Sequence, residues 1–245
     1  LRGGMSVTLV DAHRSRLALK YGIDPEHPQV KSLMESGHLK SIGSTEELQA
    51  LLFRQDVTGT GIYIGYPNDG GCFTVRLDEP LHRDGKEQKY LHKSEELNHL
   101  FVPLGLDLDA TKELIITEGE LKSLCGFLQG LPVVALSGIW NWRTQGADAE
   151  LLADGDKLSD SQALISELDR DWSGRSITLL YDSDITIDHL GYPAFQRLAE
   201  QLYRLGAEEV RVVTLPSIEE KGKTGLDDFL LAKGEEGPED LQKII

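Results

Sequence analysis

The chain has 245 residues, of which 40% are hydrophobic and 27% charged, and its formal net charge is −16 at pH 7. These values are typical of a globular protein of one or two domains, and no apolar run reaches the roughly 18 residues that a membrane-spanning helix needs. The charge is uneven, with a net −3 on residues 1–108 and a net −13 on residues 109–245. A chain this acidic is a poor bulk electrostatic binder of nucleic acid, so any such contact is expected to be local, metal-assisted or made through the less acidic first half.

The cysteine content and the amino-terminal segment indicate the cellular setting. Cys72 and Cys125 are too few for a disulfide framework, and they lack the spacing of a zinc site. No signal-peptide pattern is present. We therefore expect a reduced, cytoplasmic protein without a membrane partner. The LRGG before Met5 is interpreted as the remnant of an expression fusion and is left out of the domain assignment.

The first half of the chain predicts mixed structure. The sequence DAHRSRLALKY predicts a helix that begins with Asp11 as its N-cap, and STEELQALLF predicts a second helix from Ser44, where Ser/Thr is followed by Glu. Short aromatic and β-branched stretches then fill residues 57–93, with Asn-Asp-Gly-Gly at 68–71 as a hairpin turn. Residues 5–108 are therefore expected to form an α+β subdomain with a small antiparallel sheet.

The second half predicts alternating strands and helices. The predicted strands are 112–118, 132–138, 175–184 and 209–216, and the predicted helices are 121–130, 160–172, 192–206 and 226–234. Strands separated by helical stretches of this length indicate βαβ units and a parallel sheet with right-handed crossovers. We expect this α/β domain to cover residues 109–235 and the acidic end, 236–245, to be a loosely held tail.

Two of these strands end in carboxylates. LIITEGE supplies Glu118 and Glu120, and TLLYDSD supplies Asp182 and Asp184. Ligands of open parallel sheets bind beyond the carboxyl ends of the strands, so neighbouring strands would bring these acids together. Such a cluster requires a cation, and oxygen ligands without His or Cys favour Mg²⁺ or Mn²⁺. Glu120 is equally well explained as an exposed first-turn acid.

These motifs, IITEGELKSL, VVALSG, ITLLYDSD and GKTGLDDFLLAKG, resemble the Toprim domain shared by DnaG-type primases, topoisomerases and some nucleases. The likeness is strongest to Toprim-like domains of plasmid and phage replication proteins. QKYLHKSEELNHLFVP is similar to the segment that precedes the Toprim domain of bacterial primases. The resemblance implies a Toprim-like parallel sheet flanked by helices and preceded by a smaller α+β, primase-like subdomain.

The resemblance also implies roles for the acids. Glu118 matches the Toprim glutamate, a general acid/base or metal ligand, and Asp182 and Asp184 match the DxD pair that holds Mg²⁺. Asp227 and Asp228 lie where primases carry another acidic motif, and Asp228 is the expected further metal ligand. The implied cofactor is Mg²⁺ or Mn²⁺.

Five other residues are candidates for binding nucleic acid or nucleotide. Arg76, Lys89 and Tyr90 match the primase segment that lines the nucleic-acid groove, and Lys122 and Lys223 are natural phosphate partners beside the acids. Lys122 departs from the family pattern, because primases carry Asp four residues after the Toprim Glu. A lysine there predicts either a phosphate contact or a reduced metal site.

Two further motifs have weaker interpretations. KGKTG at 221–225 is not a P-loop, because Ser217 stands where the first glycine is required. Trp140 and Trp142 of WNW could stack on a base, but tryptophans after a strand more often pack over the sheet edge.

The leading hypothesis is the Toprim catalytic core of a primase-like replication protein, which performs Mg²⁺-dependent nucleotidyl transfer on single-stranded nucleic acid. The implied partners are a single-stranded DNA template, nucleotides, and a helicase or other replication protein, with a phage, plasmid or other mobile element as the source. One alternative is a Toprim nuclease that uses the same acids. The other is a non-catalytic module that binds nucleic acid or a replication partner.

Overall fold

The computed structural model describes residues 8–83, 85–93, 97–144, 164–185, 191–218 and 222–245. The chain divides into two compact units, Leu1–Glu96 and Leu97–Ile245. Among the described residues, no helix has the length and apolar character needed to cross a membrane.

In its described residues, the first unit contains a four-stranded antiparallel sheet and three helices. Its strands lie in the order β1-β2-β3-β4, and each pairs with its neighbours in antiparallel register. In chain order the elements are α1 (Asp11–Tyr21), α2 (Pro28–Glu35), β1 (Leu39–Ile42), α3 (Thr45–Leu52), β2 (Gly61–Gly65), β3 (Phe73–Arg83) and β4 (Lys86–Leu91). The small antiparallel sheet predicted within 57–93 is confirmed, with β1 as an additional strand.

The helices predicted in this unit are confirmed, with one correction at a helix start. Ser44 is the N-cap of α3, and its hydroxyl accepts a hydrogen bond from the Glu47 amide at 3.2 Å. In α1 the N-cap is Val10 rather than Asp11, because Asp11 already has helical geometry. The carboxylate of Asp11 lies in the first turn of α1, where the helix dipole favours negative charge.

The second unit contains a five-stranded sheet flanked by helices, which confirms the predicted α/β fold. The strand order is β5-β7-β6-β8-β9, in which β6 to β9 are parallel and β5 is antiparallel to β7. In chain order the elements are β5 (Leu100–Phe101), β6 (Glu113–Glu118), α4 (Glu120–Leu128), β7 (Val133–Leu136), β8 (Ser176–Tyr181), α5 (Tyr192–Arg204), β9 (Glu209–Thr214), α6 (Leu226–Lys233) and α7 (Gly237–Gln242).

The central strands form this sheet because their residues are apolar on both faces. All four residues of β7 are buried, and so are the residues of β8 after Ser176. Helices cover such strands through one apolar stripe, and α5 buries Ala194, Phe195, Leu198 and Leu202 in this way.

Residues 164–172 form turns, so the predicted helix over 160–172 is wrong where the structure describes it. Residues 160–163 lie outside the described part. Ile165, Leu168 and Trp172 are fully buried and have helical spacing, which explains the prediction. The backbone is engaged elsewhere, since the Ile165 amide donates to the Trp142 carbonyl at 3.1 Å and Leu164 forms a bridge with Arg143.

Both ends of the predicted second domain differ in detail from the structure. β5 pairs with β7, so residues 100–101 belong to the sheet of the second unit although they precede residue 109. At the other end, residues of the predicted acidic tail form α7, and Leu241 of this helix is fully buried. The exact division at 108/109 stays a prediction.

Candidate functional site

The two acidic motifs meet at the carboxyl edge of the second sheet. β6 lies between β7 and β8, so the chain leaves β6 toward one side and later returns on the other. This reversal is the place where open α/β sheets bind ligands. Glu118 is the last residue of β6, and Asp182 and Asp184 follow β8, its parallel neighbour. The predicted convergence of the two motifs at one sheet edge is therefore present.

Gly119 turns the chain from β6 into α4 within one residue. Its φ is 99° and its ψ is 127°, a backbone conformation that is open essentially to glycine alone. The Gly119 amide donates to the Leu136 carbonyl of β7 at 2.9 Å, which fixes the turn to the sheet. The tight turn places Lys122, in the first turn of α4, beside the acids.

We expect Gly119→Ala to lower the free energy of unfolding by about 1–3 kcal/mol, because a side chain strains this backbone conformation. A Cβ there would meet only Lys122 Cδ at 3.9 Å, so the effect is one of backbone strain rather than crowding. Urea denaturation measures it. Gly70→Ala is the matched control, since Gly70 has no neighbouring atom within 4 Å and no positive φ. Equal stability of the two variants would contradict the prediction.

Lys122 forms a shorter ion pair with the first aspartate of DxD than Lys223 does. Its Nζ lies 2.6 Å from both Oδ1 and Oδ2 of Asp182. The Asp182 side chain is only 3% exposed and that of Lys122 is 20% exposed. A buried carboxylate requires a partner of opposite charge, and here the ammonium fills that role.

Lys223 bridges the two aspartates from the solvent side. Its Nζ lies 3.1 Å from Asp182 Oδ2 and 3.1 Å from Asp184 Oδ2, and half of its side chain is exposed. Burial lowers the pKa of Lys223, but the negative charges of Asp182 and Asp184 outweigh this, so that its pKa is raised overall. The lysine is therefore a firmly charged and accessible cation at the rim of the site.

The loop that carries Lys223 is attached to the DxD segment by paired hydrogen bonds. The Thr224 amide donates to the Ser183 hydroxyl at 2.9 Å, and the Ser183 amide donates to the Thr224 carbonyl at 3.0 Å. Thr224 is fully buried, and its hydroxyl also accepts from the Ile218 amide at 2.9 Å. Ser183, which lies between the two acids, thus positions Lys223 over them.

Glu118 is partly buried behind these pairs. Burial raises the pKa of its carboxyl, the nearby charges of Asp182 and Asp184 raise it further, and the ammonium groups of Lys122 and Lys223 oppose the shift. A carboxyl with a raised pKa exchanges protons closer to neutral pH than an ordinary glutamate does. The role of Glu118 as a general acid/base stays a prediction.

Asp227 is a further buried acid beside Lys122. Its side chain is 6% exposed, and its Oδ1 has no hydrogen-bond partner among the residues that the structure describes. Burial raises the pKa of Asp227, and the charge of Lys122 opposes this. Asp228, the acid predicted to bind metal, instead accepts a hydrogen bond from the Gly225 amide at 3.3 Å and caps α6. Its role as a metal ligand stays a prediction.

Glu120 is buried at the start of α4, with 1% of its surface exposed. Its interpretation as an exposed first-turn acid is therefore wrong. The chain enters the helix directly at the sheet edge, so the first turn of α4 packs inside the unit.

The arrangement does not fit the predicted magnesium site. The donor chemistry is suitable, because carboxylate oxygens are preferred Mg²⁺ ligands. However, both oxygens of Asp182 already accept hydrogen bonds from Lys122, and Lys223 joins Asp182 to Asp184. In the described part of the chain, no three His, Cys, Asp or Glu residues are grouped so that they could hold a metal ion.

The three candidates in the first unit are partnered within that unit. Arg76 is buried, and its Nε donates to the Tyr21 hydroxyl at 3.2 Å. Its guanidinium also lies 5.3 Å from the centre of the Tyr90 ring. Lys89 is half exposed and pairs with Glu87 at 2.8 Å. That these residues line a nucleic-acid groove stays a prediction.

The tryptophan pair packs around an arginine. Trp142 is 1% exposed and belongs to the core of the second unit. The Arg143 guanidinium lies 5.3 Å from the Trp140 ring centre and 5.2 Å from that of Trp142. For Trp142, packing rather than base stacking is confirmed.

Sequence reasoning missed the groups that organise the acids. It assigned no role to Ser183, Thr224 or Gly225, and it did not pair Lys122 with Asp182. The KTG sequence before Leu226 was the available signal, since a threonine and a glycine directly before a predicted helix start indicate a defined turn.

Comparisons with known proteins agree with the fold. A family model described as "Domain of unknown function (DUF3854)" matches residues 109–237, slightly more than half of the chain. Among solved structures, the chain is similar to the crystal structure of the Aquifex aeolicus primase (zinc-binding and RNA polymerase domains), with a TM-score of 0.54 and 20% identity. The match covers 95% of this chain but 55% of the primase chain. The comparison with curated proteins gives no match.

Proposed function

The chain belongs to the family described as Domain of unknown function (DUF3854), and from its primase-like fold we propose that it is the Toprim-type core of a replication protein. In this proposal it binds a single-stranded nucleic-acid template and nucleoside triphosphates. On that template a 3′-hydroxyl attacks the α-phosphorus of the incoming nucleotide, and pyrophosphate leaves. Because it spans about half of the primase chain that it resembles, the template, the nucleotides and a helicase or other replication partner are all part of the proposal.

One observation carries the proposal. In a fold similar to that of a primase, Glu118 of the EG motif and the two aspartates of DxD lie at the ends of neighbouring parallel strands, at the point of strand reversal. Two lysines from other segments converge on the same acids. A structural role alone would not require titratable groups of both signs at the ligand-binding edge of the sheet.

The chemistry assigned to these residues is proton transfer and charge neutralisation. Phosphoryl transfer depends mostly on positioning and on neutralising the phosphate oxygens. Lys223 is the phosphate partner in this proposal, because its ammonium is half exposed and charged. Glu118 accepts the proton of the attacking hydroxyl, for which its raised pKa suits it.

Primer synthesis on single-stranded DNA tests the proposal. The purified chain is incubated with template and labelled nucleotides, with Mg²⁺, with Mn²⁺ or with EDTA, and the products are separated by size. Labelled products that disappear in Glu118→Gln support nucleotidyl transfer. Nicking of supercoiled plasmid without nucleotides would instead select the nuclease alternative.

The non-catalytic binding module remains the second candidate, and the Lys122–Asp182 pair favours it. This pair occupies the carboxylate on which metal-assisted chemistry would depend. Tight binding of single-stranded DNA with neither primer synthesis nor nicking would select this alternative.

We expect Lys223→Gln to weaken binding of single-stranded DNA and to reduce the dependence of log K on log salt by about one, because one phosphate contact is lost. Fluorescence anisotropy over a salt series measures both effects. Lys243→Gln is the matched control, since this lysine is 71% exposed and directly follows α7 of the same unit, paired with Asp240. Equal effects of the two changes would contradict the assignment of Lys223.

A further inference from the structure

Lys122 occupies the centre of the acidic site. Its Nζ lies 2.6 Å from each oxygen of the buried Asp182 carboxylate. Its charge also acts on Glu118 and on Asp227, the acids on either side. The ammonium therefore pairs directly with Asp182, which follows β8, and acts through its charge on Glu118 at the end of β6 and on Asp227 of α6.

The backbone leaves room for this ammonium at Gly225. A Cβ at Gly225 would lie 2.8 Å from Lys122 Cε, 3.2 Å from Lys122 Nζ and 2.8 Å from Asp227 Oδ1. Gly225 has φ −91° and ψ 175°, which any residue can adopt, so its backbone conformation does not require glycine. The glycine is explained by the space that the end of the lysine side chain fills.

We propose that Lys122 is the resident cation of this site and takes the position that a divalent metal ion would otherwise occupy against Asp182. The inference deepens the proposed function, on which it rests for the identification of the site. In this inference Lys122 is the group that neutralises the acids, and the folded site needs neither Mg²⁺ nor Mn²⁺.

Distances and charge explain why the two cations exclude each other. Mg²⁺ binds carboxylate oxygens at about 2.0–2.1 Å. An ion at that distance from Asp182, on the side where Lys122 Nζ lies 2.6 Å from both oxygens, would overlap the ammonium. Lys223 Nζ lies 3.1 Å from Asp182 Oδ2 and carries like charge. A divalent ion could bind Asp182 only after Lys122 is displaced.

Binding of Mn²⁺, measured by electron paramagnetic resonance of the free ion, tests the inference without nucleic acid or activity. We expect wild type and Asp182→Asn to bind Mn²⁺ equally weakly. The melting temperature of wild type is expected to be the same in EDTA and in Mn²⁺. Lys122→Asp replaces the ammonium with a carboxylate and is expected to increase Mn²⁺ affinity by on the order of 10–100-fold. The gain is expected to disappear in Lys122→Asp/Asp182→Asn.

The matched control is Lys243→Asp, which makes the same change in net charge at an exposed lysine directly after α7 of the same unit. It is expected to leave Mn²⁺ binding at the wild-type level. A wild-type Mn²⁺ site that Asp182→Asn abolishes would overturn the inference. So would a Lys122→Asp variant that keeps the wild-type circular dichroism spectrum but gains no affinity.

The wild-type measurements stand even where Lys122→Asp does not fold, so the inference remains falsifiable. Binding of single-stranded DNA by wild type in EDTA separates it from the proposed function. Loss of all nucleic-acid binding would overturn the proposed function and leave the assignment of the cation intact. If wild type binds DNA and also binds Mn²⁺ at Asp182, the assignment of the cation is overturned and the proposed function is left intact.

Discussion

Lys122→Met is expected to lower the free energy of unfolding by about 3 kcal/mol at pH 7. The change removes the ammonium but keeps a side chain of similar length, so Asp182 is left buried at 3% exposure without its main partner. Breaking one side of a buried ion pair costs about 3–5 kcal/mol, and the lower end applies because Lys223 remains 3.1 Å from Asp182. Urea denaturation followed by circular dichroism measures the loss.

The double variant Lys122→Met/Asp182→Asn tests whether this loss comes from the pair. Once both charges are absent, no unpaired ion is buried, so we expect the double variant to be more stable than Lys122→Met alone. Lys233→Met is the control, because it breaks a more exposed pair with Asp240 and is expected to cost less than about 1 kcal/mol. Additive losses in the double variant would contradict a direct interaction between the two side chains.

The second unit was predictable because its central strands are mostly apolar. β6, β7 and β8 are buried along nearly their whole length, so their sequences differ clearly from the amphipathic pattern of α5. The order of alternating strands and helices then implies a parallel sheet. Hydrophobic periodicity thus predicted most of the strands and helices of this unit.

Periodicity fails where distant backbone contacts decide the conformation. Ile165, Leu168 and Trp172 have the spacing of a helix face, but the amide of Ile165 is bound to Trp142. The Trp172 indole also donates to the Leu168 carbonyl at 2.9 Å, which helps to hold the turns. The contact of Ile165 with Trp142 joins segments that are separated in the chain, and the local pattern does not contain it.

The position of the candidate site was predictable, but its internal pairing was not. Strand ends place Glu118 and Asp182 at one sheet edge, because parallel neighbours end together. Which cation meets Asp182 depends on the turn at Gly119 and on the space at Gly225. Sixty residues separate Lys122 from Asp182, so the sequence supplied both charges without indicating that they pair.

Glu118→Gln is expected to reduce the rate of primer synthesis by about 10²–10⁴-fold, the usual contribution of a general acid/base. The amide keeps the size of the side chain but cannot accept the proton. Steady-state synthesis at saturating nucleotide measures the change. Glu209→Gln is the matched control, because this acid pairs with Arg211 at 2.6 Å on the surface of β9 and lies outside the site. A rate within about threefold of wild type would exclude Glu118 as the catalytic base.

The same change is expected to increase stability at neutral pH, so that the loss of activity cannot be ascribed to unfolding. Burial raises the pKa of Glu118 above its ordinary 4.5. The folded state therefore holds this proton more tightly than the unfolded state does, and wild-type stability falls as pH rises above about 4.5 through the folded pKa. Glu118→Gln lacks this fall, so its advantage should grow toward neutral pH and vanish below about pH 4.5. Urea denaturation from pH 4 to pH 8 measures the difference in free energy of unfolding between Glu118→Gln and wild type. If this difference favours the variant less at pH 7 than at pH 4, the raised pKa of Glu118 is contradicted.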